Sequence, residues 1–134
     1  MSYECVIDSY AWIEYFRGTR SGNIVSPYVE SDRAATSTLT IAELKEKYLR
    51  EKWPSFEEDL KFLSARTFVA PVSRSIALIA GELNHVRKKS SKEWGISDSL
   101  ILATARSTSA KVATGDRHFE GLPRSNHRLT PFCW

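Results

Sequence analysis

Four carboxylates carry the most chemical information in this sequence: Asp8, Glu43, Asp98 and Asp116. If they meet, each like-charge pair costs on the order of a few kcal/mol at short range and intermediate dielectric. Such a cluster must take up protons or a cation. Oxygen donors without cysteine or histidine select a hard ion, Mg²⁺ or Mn²⁺. Carboxylates gathered around such an ion suit in-line hydrolysis of a phosphodiester. Ser9 and Thr114 stand near the first and last of these acids. Each is expected either to support its acid by hydrogen bonding or to serve as a plain cap or turn residue.

Each acid alone has an ordinary explanation. Acids in the first turn of a helix complement its macrodipole, which covers Asp98 and Glu43. A Gly-Asp pair after a strand is a common turn, which covers Asp116. Asp8 is harder to dismiss. It ends an apolar run, Val6-Ile7, where a carboxylate is costly unless something satisfies it. The chemistry therefore belongs to the four acids as a set.

The elements that must position the set follow from local pattern. Tyr3 to Ile7 reads as a strand, and Ser9 is expected to cap a helix that Gly18 stops. A second helix is expected around Ile24 to Val29, then a small-residue strand at Ala34 to Ser37. Thr38 or Thr40 opens a helix to about Trp53, with Glu43 in its first turn and Pro54 as its stop. Ser55 to Glu58 fits a capping box for the next helix. Thr67 to Val72 reads as a strand. Ser73 to about Lys89 is amphipathic, with Ile76, Ile79, Ala80, Leu83 and Val86 on its inner face. Ser97 is expected to cap a helix from Asp98 to about Ser107. Lys111 to Thr114 is a strand, and Gly115-Asp116 turns into a short helix. Arg128 to Trp134 is a last strand, confined to an edge by Pro131.

Strands alternating with helices call for a parallel sheet covered on both faces, an α/β fold of three layers. In open parallel sheets ligands bind beyond the carboxyl ends of the strands, where all four acids are expected. The 134 residues suit a single domain spanning 1–134. Hydrophobic residues make up 42% and charged residues 26%, which argues against general disorder. The net charge of +3 permits a polyanionic partner without demanding one. Cys5 and Cys133 lack metal or redox spacing and read as small buried hydrophobes. The low cysteine count, an acidic start and no apolar run near ~18 residues point to a cytoplasmic protein away from membranes. No glycine-rich phosphate loop is present, which argues against nucleotide-cofactor enzymes. Tyr10 occupies the position where an aspartyl-phosphate hydrolase would carry its second Asp.

Four segments together resemble a known family. Val6-Ile7-Asp8-Ser9-Tyr10-Ala11-Trp12-Ile13-Glu14-Tyr15-Phe16 is similar to the opening of PIN-domain nucleases, especially VapC-type toxins. Thr38-Leu39-Thr40-Ile41-Ala42-Glu43-Leu44, Ile96-Ser97-Asp98-Ser99-Leu100-Ile101-Leu102-Ala103-Thr104-Ala105 and Val112-Ala113-Thr114-Gly115-Asp116-Arg117-His118-Phe119 resemble the motifs that follow. The resemblance implies a PIN fold with a central parallel sheet of four to five strands. It implies an endoribonuclease dependent on Mg²⁺ or Mn²⁺, with Asp8, Glu43, Asp98 and Asp116 as metal-binding acids. It also implies a homodimer and a small antitoxin that fills the active-site groove. The alternative is a PIN-like module that binds RNA or protein without cutting.

Acids cannot hold RNA alone, so cations must flank them. Arg117 and His118 beside Asp116, and Lys88 and Lys89 before Asp98, are the candidate RNA contacts. Trp94, expected in a loop near the active rim, is the candidate for stacking an unpaired base. Trp12, Tyr15 and Phe16, at helical spacing, read as packing residues.

Overall fold

A computed structural model describes residues 3–115 and 119. Asp116, Arg117, His118, Cys133 and the strand expected at Arg128 to Trp134 lie outside the described residues.

The strands are short, and three of the four are mostly buried, as expected for a parallel sheet covered on both faces, whereas the edge strand exposes Phe68. They are β1 (Cys5–Ile7), β2 (Ala34–Ser37), β3 (Phe68–Ala70) and β4 (Lys111–Ala113). Among the described residues they form one parallel sheet in the order β3-β2-β1-β4. Between β1 and β2 run α1 (Ser9–Arg17) and α2 (Arg20–Glu30), and between β2 and β3 run α3 (Thr38–Glu51) and α4 (Phe56–Arg66). Helices α5 (Arg74–Arg87) and α6 (Ile96–Ser107) connect β3 to β4.

Alternation along the strands sorts the core into two layers. Cys5, Ile7, Ala34 and Ala113 pack with Trp12, Val25, Leu44 and Leu63 of α1 to α4. Val6, Ala35 and Val112 point the other way, against Ile101, Leu102 and Ala105 of α6. The result is the three-layer α/β/α sandwich expected of the pattern. The chain winds outward from β1 to β2 and β3, then returns to lay β4 on the other side of β1. The switch point of the sheet therefore lies between the carboxyl ends of β1 and β4, where a parallel sheet opens a crevice.

Several boundaries differ from expectation because neighbouring polar residues compete to cap. Asp8 itself, not Ser9, caps α1 by accepting from the Ala11 N–H at 2.9 Å. Ser37 caps α3, placing Glu43 in the second turn rather than the first. Gly95 precedes α6, so this helix starts two residues before Asp98 and Ser97 is not its cap. Ser55 makes no backbone cap for α4; its hydroxyl donates to Asp59 instead. Helix α3 ends at Glu51 on a left-handed Lys52, ahead of Pro54. Gly18 ends α1 in the left-handed region at φ 68°, as expected. Val86 is exposed, because Ile76, Ile79, Ala80 and Leu83 already complete the stripe that packs α5.

Trp12 is fully buried among Tyr15, Phe16 and their neighbour Phe62. Its indole N–H donates to Thr36 Oγ1 at 3.1 Å, which ties α1 to β2. No described helix is long and apolar enough to cross a membrane.

Candidate active site

The first residue beyond β1 is Asp8. It is buried, and its Oδ1 accepts the Ala11 N–H. Its carboxylate is therefore held at the N-terminus of α1, where the helix dipole favours negative charge. Asp98 is held in the same manner at the start of α6. Its Oδ2 accepts the Gly95 N–H at 2.9 Å, which closes the first turn of the helix. Glu43 projects from the second turn of α3. These three acids, one just beyond β1 and one each on α3 and α6, line one cleft of about 280 Å³ with Ser9, Tyr10 and Gly115.

Electrostatics agree with that convergence. The carboxyl of Glu43 is pushed above the ordinary glutamate range, first by burial and further by the nearby charge of Asp98. A hydrogen bond from the Ser9 hydroxyl opposes the shift. Ser9, expected beside Asp8 as its support, thus acts on Glu43. The donor set is all oxygen, and the charge of Asp98 acts on Glu43 within it, which suits a hard divalent cation. Among the described residues no three acidic, histidine or cysteine side chains form a metal-ligand group by themselves. The described acids are three of the expected four, because Asp116 lies outside.

The raised value sets a sign for stability. A carboxyl with a raised folded value binds its proton more tightly in the native state than in the unfolded chain. Its contribution is greatest below the ordinary glutamate range and is lost as pH rises through the raised value. Glu43→Gln is therefore expected to flatten the fall in metal-free stability between mildly acidic and neutral pH. Denaturation midpoints of both proteins across that range check it. Parallel profiles would remove the argument for a strained carboxylate.

The other expected site residues divide. Thr114 is fully buried just beyond β4. Lys88 and Lys89 are exposed at the end of α5 and are not among the residues lining the cleft. Trp94 lies in the core and not at the active rim. It is 0% exposed, with its ring edge-on to Phe119 and its N–H donated to Ser99 Oγ at 2.7 Å. A base cannot reach it, because the turn before α6 folds it into the core. Tyr10, set aside in the sequence, lines the cleft and is 49% exposed. Its signal was its place two residues after Asp8, in the first turn of α1.

Comparison with solved structures finds the same fold. A toxin–antitoxin complex from Klebsiella pneumoniae superposes with a TM-score of 0.75 at 21% identity, covering 96% of this chain and 98% of that one. VapBC2 from Rickettsia felis, bound to a DNA fragment from its promoter, gives 0.66 at 20% identity, covering 90% and 93%. VapC20 from Mycobacterium tuberculosis, described as a sarcin–ricin-loop-cleaving toxin, gives 0.63 at 17% identity, covering 90% and 98%. No curated protein matches the chain in sequence. The PIN domain family matches residues 5–124, a span that includes Asp8, Glu43, Asp98 and Asp116, and the chain belongs to that family.

Proposed function

We propose that this protein is an endoribonuclease that depends on Mg²⁺ or Mn²⁺ and acts as the toxin of a VapBC-type pair. The observation that carries the reading is the convergence of Asp8, Glu43 and Asp98 on one cleft at the switch point of the sheet. Asp116, two residues beyond Thr114, is proposed as the fourth acid. Asp8 and Asp98 are each fixed by a backbone N–H, so their carboxylates are oriented before any ligand arrives. Such preorganisation favours binding because less side-chain freedom is lost. When bound, a divalent ion would supply Lewis acidity and ease deprotonation of the attacking water. The acids would hold that ion, and Ser9 would keep Glu43 aimed at the cleft. Arg117 and His118 are proposed to contact the RNA backbone.

The similar structures support the finer reading. Several are complexes of toxin with antitoxin, and one is described as cutting the sarcin–ricin loop. An antitoxin that covers this cleft, and a homodimer, belong to the same proposal. Purified protein is expected to cut RNA with Mg²⁺ or Mn²⁺, stop in EDTA and recover when Mn²⁺ is restored. Undiminished cutting in EDTA removes the metal route. No cutting with either ion turns the reading toward a silent binding module.

A further inference from the structure

A phosphate that enters the cleft brings nucleosides with it, and their bases need surfaces at the rim. Among the described residues, two aromatic side chains line the cleft, Phe119 and Tyr10. Phe119 is 2% exposed and packs on Trp94, so it serves as floor. Tyr10 is half exposed and also lines a neighbouring groove of about 510 Å³ that runs toward Lys47 and Arg50. Its ring thus stands between the acidic cleft and that groove.

The backbone beyond β4 supports the ring. A Cβ at residue 115 would lie 2.7 Å from Tyr10 Cδ1 and 2.8 Å from its Cζ, so the ring needs the bare glycine to lie there. The cations beyond it are engaged in surface ion pairs. Lys47 lies 3.7 Å from Glu51, and Arg50 is paired with Glu46. An aromatic face on this side would add a grip that does not depend on phosphate attraction.

We infer, on the basis of the ribonuclease reading, that Tyr10 stacks on an unpaired base flanking the phosphate that enters the cleft lined by Asp8, Glu43 and Asp98. Stacking tolerates any base, so it selects single-stranded or splayed nucleotides rather than a sequence. Tyr10 is a substrate-positioning residue in this scheme and takes no part in bond cleavage.

The test is a cycle that pairs a protein variant with an RNA variant. Binding of a labelled single-stranded RNA, with Mg²⁺ present, is measured by anisotropy on the Asp98→Asn protein with and without Tyr10→Ala. The same RNA is then presented with an abasic ribose at each position in turn. Tyr10→Ala is expected to weaken binding roughly 5- to 150-fold, with Tyr10→Trp retaining it. One abasic position should weaken the Tyr10 protein similarly yet leave Tyr10→Ala unaffected. Unchanged binding in Tyr10→Ala, or losses that multiply independently at every position, overturns the stacking. In the otherwise native enzyme, Tyr10→Ala should raise KM more than it lowers kcat. Native cleavage with an unmoved KM sinks Tyr10 alone, whereas a native protein that neither cuts nor binds RNA sinks the ribonuclease reading with it.

Discussion

Asp8→Asn is expected to abolish RNA cleavage while leaving the fold intact. Two roles of Asp8 must be separated for this to be informative. The side chain caps α1 by accepting the Ala11 N–H, and it contributes charge to the cleft. Asparagine caps a helix about as well as aspartate, whereas alanine costs roughly 0.5–2 kcal/mol at such a position. The amide therefore keeps the cap and removes only the negative charge. Loss of a residue that merely orients a metal ligand costs about 10- to 100-fold. Removing a proposed ligand should cost at least about 100-fold in kcat. In EDTA the variant should melt no lower than the native protein, since one of several crowded charges is gone. Initial rates on RNA with Mg²⁺, alongside thermal melts in EDTA, check both halves. Native-speed cleavage by Asp8→Asn would end the case for a carboxylate centre. An equal loss of activity accompanied by a collapsed melt would instead mark Asp8 as a cap and nothing more.

The same double duty explains what the sequence could and could not disclose. Alternating strands and helices announce a covered parallel sheet, and the β3-β2-β1-β4 order then places the ends of β1 and β4 side by side. The acids were legible because a carboxylate after Val6-Ile7, or on a helix following a strand, lies by topology at the sheet's carboxyl edge. Their local settings were less legible. Asp8 and Ser9 are both good caps, and only the backbone decides that Asp8 takes the role and frees Ser9 for Glu43. Likewise Gly95 starts α6 without a side chain, so the reciprocal bond comes from Asp98, three residues on. Aromatic residues were the hardest to place. Trp12 declares itself by helical spacing with Phe16, and Tyr10, two residues before Trp12 on the same helix, falls off that face, whereas Trp94 lies in a turn where no periodicity separates core from rim. Tertiary packing buries the larger ring and leaves the smaller one facing the cleft.

Trp94→Ala tests that reversal, and its expected result is a large loss of stability. The indole is enclosed between Phe119, 5.0 Å away, and the guanidinium of Arg87, 4.8 Å from the ring centroid. Its N–H donates to Ser99 Oγ, and Ser99 in turn donates to Asn84 Oδ1 at 3.1 Å, so the ring joins the turn before α6 to both α5 and α6. Truncating a buried tryptophan typically costs about 3–5 kcal/mol. That is a large share of the roughly 5–15 kcal/mol that holds a small protein folded. Trp94→Phe keeps most of the apolar contact and loses the hydrogen bond to Ser99, a cost of about 1–3 kcal/mol when the partner stays buried. Denaturant midpoints of the two variants should therefore fall in the order native, Phe, Ala. The kinetic expectation separates core from surface. Because no base reaches Trp94, the folded Trp94→Phe protein should keep the native KM for RNA, and any change should appear in kcat through the α6 N-terminus that holds Asp98. A variant with native stability and a raised KM would return Trp94 to the RNA surface and mean that the turn before α6 is open in solution.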